Sequence, residues 1–263
     1  MKIVVTIKQV PDTNEVKLDP RTGTLIREGV PSIINPEDKN ALEEALKLKE
    51  SIGAHVVVIT MGPPQADDAL REALAMGADE AILLSDRAFA GADTWATATT
   101  VGLAIKKIGD YDLILSGRQA IDGDTAQVGP QLAEYLGIPQ ITYVTELSLT
   151  NGSVKARRKM EDGFEVIEAK LPALLTITKE ANKPRYPHAA GIISAYRSRQ
   201  VAQWKSGDLD VEPGTLGLDG SPTQVRRSFS PPAKEPGETV KVAPDEAARH
   251  ILSRLKARNI IQG

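Results

Sequence analysis

The first 140 residues alternate between two patterns of apolar and polar positions. KIVVTIKQV, residues 2–10, is β-rich with almost no polar interruption, as expected of a strand buried on both faces. NPEDKNALEEALKLKESIG then reads as a helix: Leu42, Ala45, Leu46 and Ile52 recur at helical spacing, Asn35 or Asp38 can cap the start, and Gly53 stops it. HVVVITMG is a second buried strand, followed by a helical PPQADDALREALAMG that ends at Gly77. EAILLSD is a third strand, and Asp93 or Thr94 opens a helix closing at Gly109. YDLILSG is a fourth strand, and TAQVGPQLAEYLG, with Thr125 as N-cap, returns as a helix ending at Gly137. Strands separated by helices of this length imply right-handed βαβ units on a parallel sheet, an α/β sandwich of nucleotide-binding type.

The pattern changes at Pro139. QITYVTELSLT, SVKARRKM, FEVIEAKL and ALLTITKE, with turns at Asn151-Gly152 and Glu161-Asp162-Gly163, read as an antiparallel meander over about 140–178. A basic, turn-rich segment, NKPRYPHAAGIISAYRSRQVAQW, follows. Residues 206–243 are rich in proline and glycine and too long for a simple connection, which implies function or support from a partner. A last amphipathic helix, about 244–258, carries Ala247, Ala248, Ile251, Leu252 and Leu255 on one side and needs a surface to lie on. The expected division is an α/β domain over 1–182, a recognition segment over 183–205, and a C-terminal arm with its helix over 206–263.

Composition removes several function classes. With 32 basic and 35 acidic residues and a net charge of −3, the chain lacks the basic stripe of an electrostatic nucleic-acid binder. It has no cysteine, which excludes disulfides, thiol catalysis and cysteine-ligated iron–sulfur clusters and fits a reducing cytoplasm. MKIVVTIKQV is too short for a signal peptide's apolar region, and no run approaches the roughly 18–20 apolar residues that span a bilayer. A soluble, cytoplasmic protein is expected.

In open α/β sheets ligands sit beyond the carboxyl ends of the strands, where strand order reverses. The polar signals fall at such ends: Thr6, Ile7 and Lys8 after the first strand, Met61-Gly62-Pro63 after the second, Asp93-Thr94 after the third, and residues 117–129 after the fourth. Asn35 and Asp38 precede or open the first helix. Gly62 and Gly123 permit close backbone approach. The amides at the start of the Thr125 helix offer an anion site, with Thr125 and Gln127 adding side-chain donors. Asp122 and Asp124 are poor phosphate ligands and suit ribose hydroxyls, turn capping or loop orientation. The ensemble suits an adenine nucleotide or a cofactor containing one. Asp38, Asp93 and Thr125 also have a plainer reading as helix caps. No third ligand accompanies Asp122 and Asp124, His55, His188 and His250 are scattered, and Ser116-Gly117 lacks the G-x-S-x-G elbow, so neither a metal nor a hydrolytic centre is indicated. Lys8 is read as solvated or touching a ligand, Tyr196 and Trp204 as packing residues, and Arg157-Arg158-Lys159 as a solvated hairpin face.

Taken in order, IKQVPDT at 7–13, INPEDKNALEEAL at 34–46, TMGPP at 60–64, ALAMGADEAILLSD at 73–86, GADT at 91–94, GRQAIDGDTAQVGP at 117–130, LPALLT at 171–176 and GSPTQV at 220–225 resemble the small (β) subunit of electron-transfer flavoproteins over nearly the whole chain. The resemblance implies a heterodimer with a large (α) subunit that carries FAD on a mobile domain. It places the AMP moiety of a nucleotide against Thr6, Asn35 to Asp38, Met61, and Gly117 to Val128, including Gln119, Gly123 and Ala126. Housekeeping members hold a structural AMP and take electrons from dehydrogenases. Bifurcating and nitrogen-fixation-associated members hold a complete FAD that takes a hydride from NADH and splits the pair between a high-potential, quinone-linked acceptor and ferredoxin or flavodoxin. DGDTAQVGP resembles the second subtype, and Gly123, Ala126 and Gly129-Pro130 leave room for the larger ligand. KPRYPHAAGIIS, with Arg185, Tyr186, His188 and Ala189, resembles the family's partner-recognition loop. Ala189 stands where housekeeping members carry a protruding leucine, so docking of an acyl-CoA dehydrogenase in the housekeeping manner is not implied. A stand-alone ATP-binding protein on this scaffold is disfavoured by the long C-terminal arm. An adenylating enzyme is disfavoured because Ser116-Gly117-Arg118-Gln119 supplies no S-G-G-x-D-S loop.

Overall fold

A computed structural model describes residues 1–12, 31–150, 152–226, 237 and 239–261. The chain divides into two units, Met1–Arg226 and Arg227–Gly263. In the first unit the elements are, in order, β1 (Lys2–Thr6), β2 (Gln9–Pro11), β3 (Ser32–Ile34), α1 (Pro36–Ile52), β4 (His55–Met61), α2 (Asp67–Met76), β5 (Glu80–Leu84), α3 (Thr94–Ile108), β6 (Leu113–Gly117), α4 (Val128–Leu136), β7 (Gln140–Thr150), β8 (Ser153–Met160), β9 (Gly163–Lys170), β10 (Ala173–Ile177), α5 (Ala189–Arg197) and β11 (Val201–Trp204).

The described strands build a nine-stranded sheet in the order β11-β5-β4-β1-β6-β10-β7-β8-β9 and a two-stranded antiparallel ribbon of β2 and β3. Seven neighbouring strands, β11 to β7, run parallel; only β7-β8-β9 is an antiparallel meander. The expected fourth meander strand is therefore corrected. ALLTI, as β10, inserts between β6 and β7 and pairs parallel with both. All five of its residues are buried, whereas β9 is mostly exposed. A continuous apolar run belongs inside a parallel sheet, and an alternating one at a half-solvated extension.

Two further corrections concern a segment read as one strand and a segment read as turn-rich. The first predicted strand ends at Thr6, and Gln9–Pro11 leaves it to pair with Ser32–Ile34. Within 182–204 the chain forms α5, opened by the His188 side chain, and then β11, which adds to the sheet edge beside β5. The four helix-stop glycines do close their helices, Gly53 and Gly137 in the left-handed conformation that lacks a Cβ penalty.

Alternate residues of the central strands enter two cores. Ile3, Val5, Val56 and Val58 pack with Leu42 and Leu46 of α1 and Leu70 of α2. Val4, Val57, Ile59 and Ile114 pack with Val101 of α3 and Leu132 of α4. Burying each large aliphatic side chain contributes about 1.5–3 kcal/mol before entropic costs. The chain leaves β1 for β4 on one side and returns to β6 on the other, so strand order reverses between β1 and β6. The crevice at their carboxyl ends is the topological switch point.

The second unit contains α6 (Pro244–Ala257), close to the expected span. Pro244 fits the first turn, Asp245 and Glu246 complement its positive end, and Arg254 and Lys256 the negative one.

Candidate functional site

The first turn of α1 lies against the switch point and spends its polar side chains on neighbouring backbone. Asn35 occupies the N-cap position but makes no side-chain cap bond. Instead its Nδ2 donates to the Gln119 carbonyl at 2.9 Å, and its Oδ1 accepts from the Ile121 amide at 3.1 Å. Glu37 Oε2 accepts from the Gln119 amide at 3.1 Å and from Arg118 Nε at 3.2 Å. Asp38 bridges the two strands of the switch point, accepting from the Lys8 amide (2.7 Å) and the Gly117 amide (3.1 Å). The expectation that Asn35 or Asp38 caps α1 is thus corrected: both side chains reach outward because better-placed donors lie at the ends of β1 and β6. Burial pushes the Asp38 carboxyl up to about 7, against the opposing pull of Asn35, the two amides and the Lys8 charge.

Gly117 makes this contact possible. A Cβ there would lie 2.7 Å from the Asp38 nitrogen and 2.8 Å from the Glu37 carbonyl carbon. The residues that follow form a turn pinned at several points. Lys8 Nζ pairs with Asp122 Oδ1 at 2.7 Å, with the Asp122 side chain 7% and the Lys8 side chain 45% exposed. Gln119 Nε2 donates to Asp124 Oδ1. Asp124 and Ala126 both adopt left-handed backbone, φ +54° and +53°. Gly123 has open space around it. Thr125 does not cap α4, a second correction: the helix begins at Val128 with Gln127 at the N-cap position, and the left-handed Ala126 separates Thr125 from it. Gln127 Oε1 accepts from Thr94 Oγ1 at 3.2 Å, tying the turn to the start of α3. Asp93 does cap α3 through the Ala96 amide at 3.0 Å, and it also holds Thr223. Lys8→Met should cost about 1 kcal/mol or less, because one partner of the ion pair is solvated. A urea titration of the purified protein reads this, and a loss above about 3 kcal/mol would mean the pair is the turn's main support.

Under the turn, Ser116 Oγ is buried and has no hydrogen-bond partner among the described residues. Gly129, in the first turn of α4, faces it: a Cβ there would sit 3.0 Å from Ser116 Oγ and 2.7 Å from Thr176 Cγ2. The free amides at this helix start make an anion-accepting end. Over the ends of β4 and β5, and linked to the turn through Lys8, opens a cavity of about 790 Å³ whose lining includes Met61 and Phe89. Gly62 and the cations Lys8, Arg87 and Lys205 also line it. Asp86 at its rim accepts from Ser206 Oγ and the Ser206 amide, which hold its carboxyl down to about 2.

The structure thus gathers Thr6, Ile7, Lys8, Asn35, Asp38, Gly117, Gln119, Asp122 and Asp124 around the switch point, with Met61 and Gly62 in the adjoining cavity. Ile7 itself is buried in the core and contributes backbone position only. Arg87 and Lys205 carry no motif in the sequence; Arg87 follows β5 directly, and Lys205 reaches the cavity because β11 lies beside β5. Among the described residues no cluster of histidine, aspartate and glutamate could hold a metal ion, and no helix is long and apolar enough to cross a membrane.

In the segment after β10, Arg185 binds Glu43 through Nε (2.9 Å) and Nη2 (3.0 Å) and also reaches Glu50. Asn182 exchanges bonds with Asn40. His188 Nδ1 accepts from the Gly191 amide at 2.9 Å as the cap of α5, and Ala189 is its first residue. Tyr186 is 88% exposed.

A family model described as the electron transfer flavoprotein domain matches residues 22–208. The chain belongs to the electron transfer flavoprotein family. It is 58% identical over 261 residues to an electron transfer flavoprotein subunit beta from Clostridium acetobutylicum, covering 99% of this chain and all of that one. It is 57% identical over 263 residues to the caffeyl-CoA reductase-Etf complex subunit CarD of Acetobacterium woodii, covering 99% of this chain and all of that one. Identity to protein FixA of Bradyrhizobium diazoefficiens is 43% over 263 residues, 97% of this chain and 91% of the other. The chain is accordingly a beta-type subunit of a flavin-associated electron carrier, a kind that pairs with an alpha subunit.

Proposed function

We propose that this beta subunit binds a complete FAD at the β1/β6 switch point and serves flavin-based electron bifurcation from NADH within the heterodimer. The observation that carries the reading is the two-part site. The free Val128 and Gly129 amides at the start of α4 offer an anion-accepting end, and Lys8, which holds Asp122 of the turn, also lines a 790 Å³ cavity together with Arg87 and Lys205. A cavity of this size beyond the turn leaves room for a ligand that extends past an adenosine moiety. When bound, FAD would supply hydride acceptance from NADH and one-electron transfer, one electron going to a high-potential, quinone-linked acceptor through the alpha subunit's FAD and one to ferredoxin or flavodoxin.

The chain's own part is to bind and orient. Lys8, Arg87 and Lys205 neutralise phosphate charge, Asp124 accepts from a ribose hydroxyl, Asp122 orients the turn through its ion pair with Lys8, and Gln127 and Thr94 hold the turn over the nucleotide. Asn35, Glu37 and Asp38 border the nucleotide and keep the turn in place. We assign residues 1–182 to the nucleotide, 183–205 to partner dehydrogenases through Tyr186 and Ala189, and 206–263 to the alpha subunit. The 57% identity to the subunit named for a caffeyl-CoA reductase-Etf complex supports a role in a complex of an electron carrier with its redox partner enzyme.

The test is to co-express the chain with its alpha subunit, purify the heterodimer without oxygen, and separate the released nucleotides. Two FAD per heterodimer is expected, with NADH bleaching both flavins in a following titration. One FAD with one AMP would make this chain a structural partner that passes dehydrogenase electrons, and the bifurcation reading would fall.

A further inference from the structure

Tyr143 is the bulkiest described residue with a left-handed backbone, at φ +59°. It interrupts β7 between Ile141 and Val144, where the register against β10 shifts, and its amide donates to Thr176 Oγ1 at 3.1 Å. A large side chain is disfavoured in this conformation. Were the kink needed only to bend the strand, glycine would adopt it without strain. What tyrosine adds is a ring, and the Arg118 guanidinium carbon lies 5.5 Å from its centroid. Arg118 leaves the end of β6, two strands away, and its Nε donates to the same Glu37 oxygen that receives the Gln119 amide.

We propose that Tyr143 is a positioning residue for the nucleotide site, its ring fixing Arg118 and, through Glu37, the entrance to the 117–127 turn. A strained backbone at one strand is thereby exchanged for order at the ligand-bearing end of another. The inference rests on the reading of the turn as a nucleotide site, but the order of the turn is measurable without ligand.

The experiment is hydrogen exchange of the Gln119 amide in purified, nucleotide-stripped heterodimer, followed by FAD or AMP titration. Tyr143→Gly frees the backbone and removes the ring; Arg118→Met removes the cation and leaves β7 alone. Each should speed Gln119 exchange about two- to fivefold, the size of one exposed cation–π contact. The double variant should show no further acceleration, and Tyr143→Phe should match wild type. Unchanged Gln119 exchange in both single variants, or acceleration in the double variant equal to the product of the two, overturns the proposal. A purely structural bulge would lower the melting temperature and leave Gln119 exchange alone. Should Tyr143→Gly fail to fold, Tyr143→Asn, which tolerates the left-handed backbone and lacks the ring, decides. If FAD and AMP leave the amides of 117–129 unprotected in wild type, the nucleotide reading falls, while the ligand-free comparison still settles the role of Tyr143.

Discussion

Gly117→Ala is expected to strip the purified heterodimer of the nucleotide on this subunit and to cost about 3 kcal/mol or more of stability. Its new methyl would meet backbone atoms of Glu37 and Asp38 at 2.7–2.8 Å, and backbone cannot rotate away as a side chain can. Overpacking against movable side chains costs about 1–3 kcal/mol, and this site has less freedom than that. Relief requires α1 to withdraw from β6, which breaks the Asp38 bond to the Gly117 amide and loosens the Glu37 and Asn35 bonds beyond it. Gly123→Ala is the control, because a Cβ at Gly123 meets nothing within 4 Å. Urea titration and nucleotide content of the two variants check this. Normal stability and full nucleotide content in Gly117→Ala would show that α1 does not clamp the turn.

Asp38→Asn should also destabilise the fold, by about 1–3 kcal/mol, since an amide side chain can satisfy only one of the two backbone donors that the carboxylate joins. Its second signature is in pH. The folded state raises the Asp38 pKa from an ordinary 3.8 to about 7, so it binds this proton more tightly than the unfolded chain does. The stability contributed by the group is then fully present below about pH 4 and is lost as pH rises through about 7. Urea titrations at pH 5, 6, 7 and 8 should show wild type losing more stability than Asp38→Asn across the series. Parallel pH profiles would mean that Asp38 titrates normally and that its burial is offset by the bonds it accepts.

The βα alternation was legible because strands buried on both faces have no polar beat and the helices between them end at glycine stops. β1, α1, β4, α2, β5, α3 and β6 follow from that contrast alone. Pairing direction was harder. ALLTI and the three meander strands share β-forming residues, and hydrophobicity does not record which neighbour a strand joins. The distinguishing signal was present in the unbroken apolar run of β10 against the alternation of β7 to β9. The helix α5 is opened by a histidine and built of alanine, glycine and isoleucine, a weak helical pattern that yielded to the turn signals around it. At the site, Asn35 and Asp38 stood out by residue type but also read as caps of α1, and Glu37 entered only within the span Asn35 to Asp38 that the resemblance implied. Only the depth of α1 against β6 turns them into acceptors for another segment's amides.

The insertion of β10 has a consequence for how the polypeptide is made. When a ribosome has released β1, α1, β4, α2, β5, α3 and β6, the flank of β6 remains an open, largely apolar hydrogen-bonding edge. Its partner, running from Ala173 to Ile177, is still some sixty residues from synthesis, as the pairing of Gly117 with Ile177 requires. Pairings so distant in sequence form late, and unpaired apolar edges recruit other chains. The nascent subunit therefore passes through an interval in which its largest core is nearly built and its central seam lies exposed. A chain cut short before Ile177 keeps that seam and should accumulate as aggregate, while one continued past β10 closes it from within.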